Sequence, residues 1–142
     1  MKVHEVMTGK PIHIHKDETV AVAARTLTHY NIGAVPVCGS DGRVCGMVTD
    51  RDMVTRCLAS GKDPAVTKVA DVMTGGVITA RPDMEMEDAA KLMGQKQIRR
   101  LPVVENGRLC GIVSLADLAT NRESNTQAGA ALSQISSNIS VR

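Results

Sequence analysis

The chain has 142 residues, enough for one compact domain or for two small repeats that share a core. Its 17 basic and 15 acidic residues are interspersed and leave a net charge of +2, and it contains one Tyr but no Phe or Trp. This weak charge and the shortage of rings argue against a nucleic-acid-binding protein, which needs a basic surface and stacking side chains. The core must be aliphatic, with eight Met residues contributing.

Neither a targeting segment nor a membrane span is predicted. The first residues, MKVHEVMTGKP, lack the apolar run of a signal peptide, and no apolar stretch reaches the ~18 residues of a transmembrane helix. Cys38, Cys45, Cys57 and Cys110 have neither CxxC spacing nor the spacing of a zinc site. The sequence therefore predicts a soluble, cytoplasmic protein with reduced structural thiols.

An internal duplication organises the chain. VHEVMTG at residues 3–9 matches VADVMTG at residues 69–75, and GRVCGMV at residues 42–48 matches GRLCGIV at residues 107–113. The copies predict residues 1–60 as the first repeat, residues 61–68 as a polar connection and residues 69–122 as the second repeat. Residues 123–142 form a tail.

Each repeat begins with a predicted strand and a helix. The strands are expected at residues 12–14 and 77–79, and the helices, of about three turns, are expected to start from Asp17 and Asp83 as N-caps. Both helices carry apolar residues at i, i+3, i+4 and i+7, which indicates one buried face. These residues are Val20, Ala23, Ala24 and Leu27 in the first copy and Met86, Ala89, Ala90 and Met93 in the second.

A hairpin and a second helix complete each repeat. The first helices should stop near Asn31 and Gln97, before the buried strands AVPVC and LPVV. The dipeptides Asp-Gly and Asn-Gly then predict hairpins. A helix follows over residues 50–60, closed by Gly61, and a shorter one over residues 115–120. The unit is thus β-α-β-β-α, and the fold class is α+β.

The tail has only a weak apolar stripe, which is compatible with a short helix that packs on the body or on a neighbouring chain, and equally with a frayed end. The residues of this stripe are Ala128, Leu132, Ile135 and Ile139.

One short frame occurs twice, as GMVTDRD at residues 46–52 and GIVSLAD at residues 111–117. A hydroxyl residue followed three places later by an acid is nearly a capping box, so Thr49 and Ser114 could simply cap helices. The reciprocal half of that box prefers Glu or Gln, and we expect Asp to be too short for it. The repetition itself also extends far beyond the frame.

These features resemble a family. A β-α-β-β-α unit that opens with VMT, holds an apolar-Pro-Val strand and closes with G-apolar-apolar-[ST]-x-x-D resembles a CBS domain, and two in tandem resemble a CBS pair, or Bateman module, over residues 3–122. The phrases TDRD and QIRRLPV are similar to those of bacterial stand-alone CBS-pair proteins. The resemblance implies two repeats packed sheet to sheet about a pseudo-two-fold axis, with two clefts between them, and a homodimer. It also implies binding of AMP, ADP, ATP or related adenosyl ligands and signalling of energy or metabolite status to a partner.

The frame suits an adenosine ligand chemically. The carboxylate of Asp52 or Asp117 could accept hydrogen bonds from both ribose hydroxyls. Thr49 or Ser114, where a strand gives way to a helix, could meet a phosphate. The glycines at the start of the frames permit close approach of the backbone.

An apolar slot would hold the purine, and cations would hold a phosphate. The phosphate candidates are Arg51, Arg99 and Arg100, and Asp50 would have to be paired, with Arg51 for example; a solvated helix charge is the alternative for Arg51. The slot candidates are Ile12, Ala34, Val35, Pro36, Ile78, Leu101 and Pro102. The resemblance adds backbone contacts to the base edge around His13, Ile14, Thr79 and Ala80.

Other functions have weaker support. We expect no catalytic cofactor and no enzyme, because nothing resembles a nucleophile with an orienting base. His13 and His15 could share a metal on one strand face, but no third ligand is evident nearby, so no metal site is predicted. The main rival is a ligand-free structural dimerisation module, in which Asp52 and Asp117 are only helix caps.

Overall fold

The computed structural model describes residues 1–120 and residues 125–139. The chain divides into two compact units. The contiguous unit is the single segment Ile12–Val77, whereas the composite unit joins Met1–Pro11 to the described residues from Ile78 onward. The predicted α+β class is confirmed, because each unit combines a three-stranded sheet with helices.

The described residues contain six strands, arranged in two sheets. They are β1 (Thr8–Gly9), β2 (Ile14–His15), β3 (Ala34–Cys38), β4 (Val44–Thr49), β5 (Arg100–Glu105) and β6 (Arg108–Ser114). In the contiguous unit the order is β2-β3-β4, with β2 parallel to β3 and β4 antiparallel to it. In the composite unit the order is β1-β6-β5 and both pairings are antiparallel.

The first strand of each repeat differs from the prediction. β2 covers Ile14–His15 rather than residues 12–14. Residues 77–79 form no strand; instead, Ala80 makes an isolated parallel bridge with Val103. Parallel pairing begins only where the chain lies beside the neighbouring strand. The pattern of apolar residues alone does not show at which residue this pairing begins.

The helices follow the predicted order. They are α1 (Val20–Tyr30), α2 (Asp50–Asp52), α3 (Met86–Lys96), α4 (Leu115–Ala119) and α5 (Asn125–Ile139). A π-helix over Met53–Leu58 continues α2, and Gly61 follows it with a φ of +74°, as expected for a residue that ends a helix. Helices α1 and α3 end at Asn31 and Gln97, both in the left-handed conformation, which confirms the predicted ends.

The predicted N-caps were wrong. Thr19 caps α1, with its hydroxyl accepting from the Val22 N–H at 3.3 Å, and Glu85 stands at the N-cap of α3. Asp17 and Asp83 lie two residues earlier. Distant backbone satisfies the first helical N–H groups, since Val20 donates to the Thr67 carbonyl at 2.8 Å. In α3, Met86 likewise donates to the Met1 carbonyl at 3.1 Å. These long-range bonds let both helices begin later than local sequence suggests.

The opening segments of the two repeats are exchanged between the units. Residues 3–9 belong to the composite unit, where β1 pairs with β6 at Thr8↔Ile112 and Gly9↔Gly111. Residues 69–75 belong to the contiguous unit, where Thr74 bridges Met47 of β4. Each opening segment therefore pairs with a strand of the other sequence repeat, residues 3–9 through a strand of the sheet and residues 69–75 through an isolated bridge.

Each unit has its own aliphatic core. In both, the predicted helix stripe packs onto the sheet, although Ala24 of the first helix is only partly buried. Helix α5 joins the composite core through Ala128, Ala131 and Ile135, while Leu132 of the expected stripe is 41% exposed. The side chain of Ile139 lies outside the described residues. The predicted buried face of this helix was wrong at Leu132. The buried residues follow the spacing i, i+3, i+7 from Ala128, so Ala131 is buried and Leu132 is not.

A membrane span would require a long apolar helix, and the described part of the chain has none.

Candidate functional site

Both repeated frames lie where a strand passes directly into a helix. Thr49 ends β4 and is the N-cap of α2, and Ser114 ends β6 and is the N-cap of α4. Both N-cap residues have extended backbone, which turns the hydroxyl back over the first helical turn. The two frames therefore present the same groups in the same local geometry.

Each frame forms a complete capping box. Thr49 Oγ1 accepts from the Asp52 N–H at 3.0 Å, and the Thr49 N–H donates to Asp52 Oδ2 at 3.0 Å. The corresponding distances for Ser114 and Asp117 are 3.1 and 2.8 Å. The expectation that Asp is too short for the reciprocal bond was wrong, because the extended N-cap brings its own N–H close to the carboxylate. Each aspartate thus caps a helix with one oxygen.

The second oxygen distinguishes the two aspartates. Asp52 Oδ1 lies 3.9 Å from Arg56 Nε, and its side chain is 14% exposed. Arg56 is itself held, since its Nη1 donates to the carbonyls of Val72 and Met73 at 3.2 and 3.1 Å. Asp117 Oδ1 has no hydrogen bond or ion pair to any residue that the structure describes. The carboxylate of the composite unit therefore keeps more acceptor capacity.

Two of the three candidate phosphate-binding arginines lie beside Ser114, on the neighbouring strand and in the loop before it. Arg100 pairs with Ser114 across β5 and β6, and the Arg99 carbonyl accepts from the Leu115 N–H at 2.8 Å. All of these residues line one cavity of about 440 Å³. Its other lining residues are Ala116, Ala119, Ala128, Gly129 and Leu132. Nothing in the sequence pattern indicated that α5 would form part of this cavity.

The contiguous unit has a different set of charges beside its frame. Arg51 is exposed, and its guanidinium makes no ion pair within the described chain. Asp50 Oδ1 accepts from the backbone N–H of Arg51 at 2.8 Å, so Asp50 is paired with Arg51 through the backbone rather than through the guanidinium. Gly33 and Ala34 occupy the positions of Arg99 and Arg100. The two frames are therefore electrostatically unequal.

The candidate base-contact residues lie farther along the same sheets. In the contiguous unit Ala34 pairs with Thr49, whereas Val37 pairs with Ile14, so roughly 10 Å of strand separates the frame from β2. In the composite unit the Ala80 N–H donates to the Pro102 carbonyl at 2.9 Å. Six of these candidates are buried, three are partly buried and two are exposed: Ile14, Val35, Pro36, Ala80, Leu101 and Pro102; Ala34, Ile78 and Thr79; Ile12 and His13.

Two further cavities occupy the base-contact ends of the sheets. His13 and Ile14 line a cavity of about 510 Å³ in the contiguous unit. Thr79 lines one of about 660 Å³ in the composite unit, together with Arg81 and Asp83. Neither contains a frame residue, so in the composite unit Thr79 and Ser114 line different cavities.

The structure brings together one group that resembles a catalytic triad. His15 Nε2 lies 3.2 Å from Ser40 Oγ, and His15 Nδ1 lies 3.7 Å from Asp17 Oδ2. The Asp17 backbone N–H also donates to His15 Nδ1 at 3.1 Å. A neutral imidazole in this position carries its proton on Nε2 and donates to Ser40, which is the wrong tautomer for a general base. The sequence pattern did not reveal this contact, but its chemistry does not favour nucleophilic catalysis.

Metal ligands are not clustered. Among residues 1–120 and 125–139, no group of three or more His, Cys, Asp or Glu side chains is placed to hold a metal ion.

The four cysteines are free thiols. Cys45 and Cys110 occupy matching places in the two hairpins, where each Sγ donates to a carbonyl of the neighbouring strand, Val37 at 3.4 Å and Val103 at 3.3 Å. Burial raises the pKa of the thiols of Cys38, Cys45 and Cys110 above the ordinary value. Their environments are those of structural rather than reactive cysteines.

Slow alkylation of these thiols follows from the raised pKa values. At neutral pH a higher pKa leaves less thiolate, which is the reacting species, so iodoacetamide should modify Cys38, Cys45 and Cys110 more slowly than it modifies free cysteine. Peptide mass spectrometry after timed alkylation measures each site. The same protein in urea supplies the control, where all sites should react at ordinary rates. Labelling of any of the three in the folded protein as fast as in urea would contradict the prediction.

Comparison with known proteins identifies relatives over most of the chain. The family model for the CBS domain matches residues 3–59 and again residues 69–123. The CBS domain-containing protein YhcV of Bacillus subtilis is 43% identical over 134 residues, which are 94% of this chain and 94% of that protein.

Solved structures of similar proteins share the fold. The crystal structure of Hypoxic Response Protein I with two coordinated zinc ions has a TM-score of 0.80 at 32% identity, covering 85% of this chain and 98% of that one. The CBS domain pair of MJ0100, in complex with 5-methylthioadenosine and S-adenosyl-L-methionine, has a TM-score of 0.74 at 29% identity, with 84% and 94% covered. CBSX2 in complex with AMP has a TM-score of 0.72 at 28% identity, with 82% and 91% covered.

Proposed function

Because the chain belongs to the CBS domain family and carries two CBS domains in tandem, we propose that it is a non-catalytic regulatory protein that binds an adenine nucleotide or adenosyl ligand. The ligand is of the AMP, ADP or ATP class and is a regulatory ligand rather than a catalytic cofactor. Binding occurs at the repeated frames and reports energy or metabolite status to a partner protein.

The observation that carries the proposal is the environment of Ser114 and Asp117. Two arginines and a hydroxyl line one cavity, and Asp117 lies on the first turn of α4, the helix that Ser114 caps, with Oδ1 not used by the cap. A carboxylate oxygen suits ribose hydroxyls, and guanidinium groups suit a phosphate. The bound AMP of CBSX2 and the bound adenosyl compounds of MJ0100 support the same ligand class.

We assign the tighter site to the composite unit. In the contiguous unit Arg56 Nε already lies 3.9 Å from Asp52 Oδ1, and Arg51 is the only one of the three candidate arginines on that side. A ribose at Asp52 would have to compete with Arg56, whereas at Asp117 it would not. The remaining proposed contacts are Thr49, Ile12, His13, Ile14, Ala34 and Pro36 in the contiguous unit and Ile78, Thr79, Ala80 and Pro102 in the composite unit.

The proposal includes a partner and a cellular setting. Val54 and Leu58, one turn apart on the second helix of the first repeat, are 55% and 58% exposed. An apolar helix surface of this kind suits association of two chains into a homodimer. The four free thiols suit a reducing cytoplasm. Neither nucleic acid nor a membrane is proposed as a partner.

The mechanism that we propose is a shift of population. A ligand can change the protein only through its differential affinity for two conformations. Contacts to the frame at the start of α4 would favour the conformation in which that frame and its arginines are ordered around the ligand. The surface offered to the partner changes with that population.

One observation favours a second candidate function, a structural dimerisation module without a ligand. The capping boxes are complete in both repeats, so helix capping alone accounts for the hydroxyl residue and the aspartate at this spacing. Under this alternative the arginine-lined cavity has no ligand.

Asp117→Asn and Asp52→Asn separate the two functions. Asn can still accept the N-cap N–H through its amide oxygen, so the caps survive. The amide nitrogen replaces the other oxygen and cannot accept from ribose. We expect Asp117→Asn to weaken AMP binding about tenfold or more and Asp52→Asn to weaken it less.

Isothermal titration calorimetry with AMP, ADP, ATP, S-adenosylmethionine and NAD measures these affinities, and thermal unfolding of each variant is the control for stability. Heat of binding from none of the five compounds, with both variants as stable as the wild type, would favour the dimerisation module instead.

A further inference from the structure

Helix α5 is docked on the composite unit through a glycine of α3. A Cβ atom on Gly94 would lie 3.3 Å from the Cα of Ala131 and in contact with the Gln134 side chain. The two helices therefore approach so closely that a glycine is favoured at this position. Ala128, Ala131 and Ile135 are 2%, 3% and 5% exposed, so the helix is packed into the core rather than loosely attached.

The first repeat lacks this glycine. The position that corresponds to Gly94 is Thr28 on α1, which is exposed and whose hydroxyl donates to the Ala24 carbonyl at 2.8 Å. The docking surface is therefore a feature of the second repeat and does not follow from the duplication.

Another part of α5 faces the cavity that holds Arg99, Arg100 and Ser114. Gly129 and Leu132 line this cavity, and Leu132 remains 41% exposed although it neighbours the buried Ala131. Apart from the backbone of α5 itself, no atom of the described residues lies within 4 Å of the place where a Cβ on Gly129 would stand. The helix thus contributes an open, apolar wall to a cavity whose polar groups come from β5, β6 and the loop before them.

From these contacts we infer that α5 is a binding wall, with Gly129 and Leu132 as determinants of ligand affinity at the composite site. This inference rests on the proposed function. The arginines and Ser114 take the anionic end of an adenosine ligand, while Leu132 covers part of its apolar surface. Water is displaced from that side, which strengthens the attraction between guanidinium and phosphate.

Docking of α5 and occupancy of the cavity are consequently linked. If the docked helix raises the affinity for the ligand by some factor, the ligand raises the docking equilibrium by the same factor. A bound ligand therefore holds α5 more firmly over the surface around Gly94, and release of the ligand lowers the docking equilibrium by the same factor, which makes this surface ligand-dependent.

Gly129→Leu tests whether α5 lines the ligand-binding site. The new side chain fills the cavity without displacing any atom near its Cβ, so the fold is retained. We expect AMP and S-adenosylmethionine to bind about tenfold or more weakly by calorimetry. Ala130→Leu is the matched control, because residue 130 is exposed and does not line the cavity, and its affinities should equal those of the wild type.

Hydrogen exchange of the α5 amides provides a readout other than affinity. Saturation with AMP should slow exchange over residues 125–139 in the wild type and in Ala130→Leu, but not in Gly129→Leu. If the wild type binds and Gly129→Leu has the same affinity and the same exchange, the inference that α5 lines the binding site is wrong, whereas the proposed function stands. If the wild type binds none of AMP, ADP, ATP, S-adenosylmethionine and NAD, the proposed function falls and this inference falls with it.

Discussion

Gly46→Ala should destabilise the protein by about 1–3 kcal/mol, the range for overpacking a site that cannot expand. A Cβ on Gly46 would lie 2.5 Å from Met73 Sδ and 2.8 Å from the Thr74 carbonyl oxygen. The methionine could turn away, but the carbonyl is fixed, because Met47 and Thr74 exchange two backbone hydrogen bonds of 3.0 and 2.8 Å. Relief of the clash would break this bridge. Urea unfolding measures the loss.

Gly75→Ala is the control for Gly46→Ala. Its Cβ would have only an ordinary contact, 3.9 Å from the Cys45 carbonyl oxygen, so its free energy of unfolding should stay close to that of the wild type. Equal stability of Gly46→Ala and Gly75→Ala would mean that the segment around Met73 and Thr74 is not held against β4 as described.

Leu101→Ala is expected to lower the free energy of unfolding by about 2–5 kcal/mol, the range for truncating a fully buried leucine. Leu101 is 0% exposed on β5, pairs with Val113 and lies in the core with Met93 and Leu118. It lies among other fully buried side chains, so its truncation leaves a cavity in a packed core. The expected loss is therefore large for a single substitution.

Val66→Ala is the matched control for Leu101→Ala, because Val66 is 74% exposed and its truncation should change the free energy of unfolding by less than about 0.5 kcal/mol. Thermal and urea unfolding of both variants measure the difference. A loss below about 1 kcal/mol for Leu101→Ala would show that the site is less tightly packed than its burial implies.

The local features of the fold could be predicted from the sequence because short-range physics decides them. The Asn-Gly pair has positive φ at both residues, +54° at Asn106 and +80° at Gly107, and in the Asp-Gly pair the glycine, Gly42, has it at +79°. The apolar stripes of α1 and α3 are periodic over three turns, which leaves one face to bury.

The features that failed depend on partners that are far away in the chain. The N-caps moved from Asp17 and Asp83 because residues 1 and 67 supply carbonyls to the first helical N–H groups. Local sequence cannot indicate a hydrogen bond across more than eighty residues. The same limit concealed the contact between His15 and Ser40, which lies across the β2-β3 edge.

In the candidate site, too, local features could be predicted from the sequence and contacts with distant residues could not. The duplication alone was sufficient to select Thr49, Asp52, Ser114 and Asp117, and the structure brings Arg99 and Arg100 to the second frame. The ion pair of Asp52 with Arg56 was missed, although i,i+4 spacing on a helix was a signal for it. The part played by α5 had no signal, because Gly94 matches no residue of the first repeat that would mark it as a docking point.

The exchange of the opening segments has a consequence for synthesis on the ribosome. Every residue of the contiguous unit has been added to the chain once Val77 is made, so that unit can close while translation of the later residues continues. Residues 3–9 come first, yet their strand partner, Ile112, comes more than a hundred residues after them. Throughout that interval Val3, Val6 and Met7 have no core to enter, which makes this stretch of the nascent chain a segment for chaperones to shield.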